Sequence, residues 1–174
     1  MSNIIVQIKI KPYLKDFLLH INGVEDENGN TIINASRKNI TGYYLLPLLE
    51  KVPADYKLLK APPEQVLEIR LPYLPEFNIR YRNYVSDINM RHFQSAIEVI
   101  FLGEYYREVN KAMTHDPNMK LKHAIIDFCY AYNISFDNIT YEMLRKKYTR
   151  YRAGLNKRKH PTALQKRRNL SFSP

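Results

Sequence analysis

The chain holds one cysteine, Cys129, five glycines and no tryptophan in 174 residues. A single cysteine excludes an internal disulfide and any cysteine-based zinc site within one chain. With no two glycines adjacent, a P-loop or dinucleotide-binding turn is excluded, because such turns need clustered glycines to bring backbone amides onto phosphate. There is no Gly-x-Ser-x-Gly elbow either. No stretch approaches the roughly 18 uninterrupted apolar residues of a membrane-spanning helix. The start, Met1 to Gln7, lacks a basic segment followed by an apolar one. The expectation is a soluble, cytoplasmic protein without a signal peptide. One further absence is local: the last thirty residues contain no acid.

That last absence concentrates the charge. Residues 1–144 carry 16 Lys/Arg against 17 Asp/Glu, a balance of −1, and residues 145–174 carry 11 Lys/Arg, which together give the net +10. Charge so segregated creates a local field whose commonest partner is a phosphate backbone. Apolar residues make up 45% of the chain, enough for a buried core and against wholesale disorder.

Periodicity divides the rest. Residues 3–10 alternate Val6, Ile8 and Ile10 with Gln7 and Lys9, as a half-buried strand does. Pro12 can open a helix with Tyr13, Leu14, Phe17, Leu18 and Ile21 on its apolar face and Gly23 just past its end. A polar loop with an Asn28-Gly29 turn follows, then a short strand from Thr31. Residues 42–52 read as a short helix interrupted near Pro47. Residues 65–72 alternate again, bounded by prolines at 62, 63, 72 and 75. From Ser86 or Asp87, either a suitable N-cap, the residues Phe93, Ile97, Ile100, Phe101, Tyr105 and Val109 mark a helix to about Met113. Asp116-Pro117 ends it. Further helices are expected over 121–132 and 140–153, after which the pattern dissolves into a basic tail expected to be disordered without a partner. The fold class is α+β, mainly helical. Its parts are an α+β region over 1–85, a helical region over 86–156 and a tail over 157–174.

The segment with the most informative chemistry is 120–160. If Leu144, Tyr148 and Tyr151 face the core, the opposite side of that helix presents Arg145, Lys146, Thr149, Arg150 and Arg152. A row of Arg, Lys and Thr suits a major groove, where Arg pairs bidentately with guanine and Lys or Thr holds phosphates or base edges. Lys147 adds a further cation. The runs Lys157-Arg158-Lys159 and Lys166-Arg167-Arg168 can track a backbone or enter a minor groove.

The stretch from His123-Ala124-Ile125-Ile126-Asp127-Phe128-Cys129 to Ile134, followed by Ile139-Thr140-Tyr141-Glu142-Met143-Leu144-Arg145, resembles helix-turn-helix DNA-binding proteins of bacterial phages and mobile elements. The resemblance covers about a quarter of the chain. It implies a supporting helix over 121–132 and a recognition helix over 140–153. The connection from Asn133 to Asn138 lacks glycine and exceeds the usual three or four residues, which fits a winged or homeodomain-like variant better. The implied function is binding of double-stranded DNA, with RNA left open as a competitor, in regulation or mobile-element upkeep. Arg145, Thr149 and Arg152 would read the groove. Lys146, Lys147, Arg150, Lys157, Arg158 and Lys159 would neutralise phosphates. A homodimer would suit such a protein, because two half-sites multiply affinity.

Other chemistry is thinly represented. His123 and Asp127 lie one turn apart, with His115 and Asp116 nearby, but no further ligand pattern supports a metal. Glu104 and Glu108 are read as exposed charges answering Arg107 and Lys111. Cys129 is read as a packed small residue. No cofactor, metal site or catalytic residue is assigned. Two rival classes remain. One is an assembly protein whose basic end holds nucleic acid, or an acidic partner, without reading sequence. The other is a metal-dependent nuclease using Glu104, Glu108 or Asp116.

Overall fold

The computed structural model describes residues 4–54, 61–72 and 82–159. The alternating segments form strands β1 (Ile4–Lys9) and β5 (Val66–Leu71), which pair antiparallel with Val6 opposite Ile69. Between them in sequence come α1 (Pro12–Asn22), β2 (Gly23–Glu25), β3 (Thr31–Asn34), α2 (Ile40–Leu45) with a 3-10 turn over Leu46–Leu48, and β4 (Glu50–Lys51). Then follow β6 (Arg82–Tyr84), α3 (Asp87–His115), α4 (Leu121–Ala131) and α5 (Tyr141–Lys159). The main sheet runs β1-β5-β3-β2, with β3 parallel to β5 and antiparallel to β2, and β4 pairs with β6 in a separate ribbon. The fold is α+β and mainly helical.

Three strands lie outside the sequence reading. β2 was not expected: Gly23 stands just past the end of α1, as read from sequence, but with φ −70° it opens a strand that takes in Val24 and Glu25. Glycine is needed there for space, since a Cβ would lie 2.2 Å from the Leu19 carbonyl oxygen. β4 and β6 are two and three residues long, too short for alternation to register. At α2, Asn39 supplies the cap: its Oδ1 accepts from the Gly42 amide at 2.8 Å, satisfying one of the amides a helix start leaves open.

Helix α3 is the spine. Phe93, Ile97, Phe101, Tyr105 and Val109, all fully buried, recur every four residues. Four residues at 3.6 per turn overshoot a full turn by about 40°, so the buried stripe winds around the helix. Its upper part meets the sheet and α1, and its lower part meets α4 and α5. One continuous core therefore runs from Val6 and Ile8 through Phe93 and Phe101 to Phe128, Leu144 and Tyr148, crossing the boundary expected near residue 85. At its centre Phe101 meets Tyr13, Phe17 and Phe128 with ring centroids 5.2, 5.4 and 5.8 Å away.

Candidate nucleic-acid interface

Helix α4 ends without glycine because Asn133 takes the left-handed conformation, φ 52°. The Ile134 amide donates to the Cys129 carbonyl at 2.8 Å, and the Asn133 amide to Tyr130 at 3.2 Å. This pair of bonds is the Schellman arrangement, in which Asn is the usual substitute for Gly. Buried Ile134 then packs beside Cys129, whose thiol is pushed up to about 12 by burial. Asn133→Gly is expected to raise stability by up to about 1 kcal/mol, by removing the side-chain penalty of the left-handed region. A urea midpoint that fails to rise would show that the Asn side chain itself contributes.

The connection to α5 is long but held. Asp16 of α1 accepts from the Ser135 amide at 3.3 Å and from Asn138 Nδ2 at 2.7 Å, while Ile134 and Ile139 are buried. Thr140 caps α5, its Oγ1 accepting from the Met143 amide at 3.3 Å.

Tyrosines hang α5 on α3. Tyr105 and Tyr106 donate to the carbonyls of Leu144 (3.1 Å) and Lys147 (3.4 Å). Tyr148 donates to Asn110 Oδ1 at 2.7 Å. The rings of Tyr106 and Tyr151 stack at 4.1 Å, 5° from parallel. Tyr148 and Tyr151 thus belong to the packing, as read from sequence, and half-buried Tyr132 and Tyr141 join them. Tyr130 is 77% exposed.

With Leu144 and Tyr148 turned inward, Arg145, Lys146, Thr149, Arg150 and Arg152 all lie on the exposed side of α5. Two are engaged within the helix. Arg145 Nη2 donates to Glu142 Oε2 at 2.9 Å, and Thr149 Oγ1 to the Arg145 carbonyl at 3.0 Å. Lys146, Arg150 and Arg152 have no ion pair with any described acid. Lys147 departs from its assigned role. It lies on the inward flank, and its ammonium sits 3.0 Å from Glu98 Oε1, so it is a tie between helices rather than part of the outer face. The helix also runs past Gly154, where the pattern was expected to end, to Lys159. The backbone of Lys157, Arg158 and Lys159 therefore continues α5, while their side chains, the 166–168 cluster and the tail from 160 onward lie outside the described residues.

Glu98 is the link that sequence reasoning missed. Its carboxylate takes Lys147, Lys11 at 2.7 Å and the Tyr13 hydroxyl at 3.1 Å, joining α1, α3 and α5. Burial alone would raise its pKa; hydrogen bonds and charge from Lys11 and Lys147 outweigh that and hold it at about 2. Because the folded value lies below the unfolded one, the stabilisation is complete above the ordinary carboxylate range and is lost as pH falls towards 2. Glu98→Gln is accordingly expected to melt below the parent protein at pH 7, with the gap closing between about pH 4.5 and 2. A gap constant across thermal melts at pH 7, 4 and 2.5 would contradict this role.

The remaining candidates are ordinary. Glu104 and Glu108 both hold Arg107, Glu108 also lies 3.8 Å from Lys111, and Glu104 accepts from Tyr132 at 2.6 Å. His123 and Asp127 are exposed. Among the described residues no group of three His, Cys, Asp or Glu is placed to hold a metal, and no helix is long and apolar enough to cross a membrane. No protein family, curated protein or solved structure matches this chain.

Proposed function

We propose that the chain binds double-stranded DNA through the outer face of α5, in a regulatory role or in the upkeep of a mobile element. The observation that carries this reading is the outer face itself. Four cations and a threonine share the exposed side of one helix, whose inner side is fixed to the body by Tyr105, Tyr106 and Tyr148. A rigidly mounted cationic helix is the element that a major groove admits. In this reading Lys146 and Arg150 hold phosphates, and Arg145, Thr149 and Arg152 face base edges. The backbone of Lys157, Arg158 and Lys159 extends the same helix.

A second reading has its own support. Because Arg145 and Thr149 are already bonded within the helix, α5 also suits an assembly protein that grips phosphate without reading sequence. Binding of labelled random duplex across a salt series, followed by selection of preferred sites, separates the two. Both predict that affinity falls by roughly three to five orders of magnitude between 50 and 200 mM salt for about six to eight phosphate contacts. Only groove reading predicts an enriched site. Affinity insensitive to salt would defeat both.

A further inference from the structure

We propose that Glu142 sets the sequence selectivity of α5, by orienting Arg145 for guanine and by keeping the first turn of the helix off phosphates. The inference rests on the groove reading above and names the residue that lets the helix read as well as grip. Glu142 is the last acid in the chain, and α5 is otherwise cationic. It stands where a carboxylate most affects a polyanion. A helix start attracts phosphate, because its first amides are unpaired and the helix dipole is positive there. At α5 that attraction is countered: Thr140 Oγ1 takes the Met143 amide at 3.3 Å, and exposed Glu142 lies in the first turn. A phosphate brought to this turn meets a like charge, which the base edges of a major groove do not carry.

The same carboxylate holds the arginine. Glu142 Oε2 accepts from Arg145 Nε at 3.1 Å and from Nη2 at 2.9 Å, across three residues of one helix face. These bonds take up one edge of the guanidinium. The other edge, Nη1 with the second hydrogen of Nη2, is the fork from which guanine O6 and N7 accept. Contact with Glu142 is therefore compatible with reading guanine. It fixes the plane of the fork in advance, so less side-chain freedom is lost on contact. Both side chains are exposed, and an exposed pair adds little to folding stability. What the pair changes is the choice among DNA sites.

The test selects preferred duplexes from a random pool with the full chain, with Glu142→Ala and with Arg145→Ala. Each protein's affinity is then measured for the parent's selected site and for random duplex. Glu142→Ala should bind random duplex more tightly and gain nothing at the selected site, so that the preference falls by about three- to tenfold. The enriched position that Arg145→Ala loses should lose most of its enrichment in Glu142→Ala as well. Thermal melts should hardly move, because the pair is exposed and alanine favours a helix. A merely structural role for Glu142 would move the melts and leave the preferred bases alone. An unchanged preference with the same enriched position overturns the inference and leaves the groove reading standing. A parent chain that enriches no site defeats that reading, and the inference with it.

Discussion

Replacing Lys146, Arg150 and Arg152 together by alanine is expected to weaken binding to duplex DNA by about two to three orders of magnitude at 0.1 M salt. Each phosphate contact adds about 0.9 to the slope of log affinity against log salt, so each is worth nearly tenfold at that concentration. Lys146 and Arg150 are the phosphate contacts among the three, so the slope should fall by about 1.8, and the loss of Arg152 should show in affinity rather than in slope. All three side chains are exposed and none pairs with a described acid, so the melting temperature should hardly move. Lys147→Ala supplies the contrast. Its ammonium is bound to Glu98, so it should lower stability and leave the salt slope nearly unchanged. If Lys147→Ala reduced the slope as much as the outer residues do, α5 would be meeting DNA with a different face. An unaltered slope in the triple variant would remove the outer face from the interaction altogether.

Phe101→Ala is expected to cost about 3–5 kcal/mol, a large share of the roughly 5–15 kcal/mol that holds a domain together. Its ring is fully buried and meets rings from α1, α4 and its own helix. Removing it leaves a cavity where three helices converge, and none of the pinned rings can close in without breaking another contact. Tyr13 is tied to Glu98 through its hydroxyl, and Tyr105 to the Leu144 carbonyl. Urea denaturation measures the loss. A loss below about 1 kcal/mol would mean that the neighbouring rings repack freely, contrary to this arrangement.

Much of the architecture was legible because it repeats. The alternation of β1 and β5 and the stripes of α3, α4 and α5 each recur often enough to reveal a period. β2, β4 and β6 are too short for alternation to show, and β4 and β6 find each other only across a long stretch of intervening chain. The run of α5 through Gly154 was hidden by an interior glycine, a cost of about 1 kcal/mol that the surrounding Lys, Arg and Leu residues offset. At the candidate site, helical geometry alone placed Arg145, Lys146, Thr149, Arg150 and Arg152 outward. It could not place Lys147, because the position lies at the edge of the buried stripe and its direction depends on an acid 49 positions away. The grip of Asp16 on the 132–140 connection spans still more chain, and an acid on an amphipathic helix looks the same whether it meets water or a loop. The left-handed end at Asn133 also went unread, although Asn just after an apolar stripe is a recognised signal for it.

The winding stripe on α3 sets where this sequence can change length. Inserting or deleting one residue between Phe93 and Val109 would rotate everything beyond it by about 100°. The rings that seat α4 and α5 would swing away while the sheet stayed in place, and the cationic helix would point elsewhere. The turn at residues 26–30 carries no such constraint, since it joins two strands and its residues are largely exposed. Homologous chains should therefore differ in length at that turn and keep the residue count of α3 fixed.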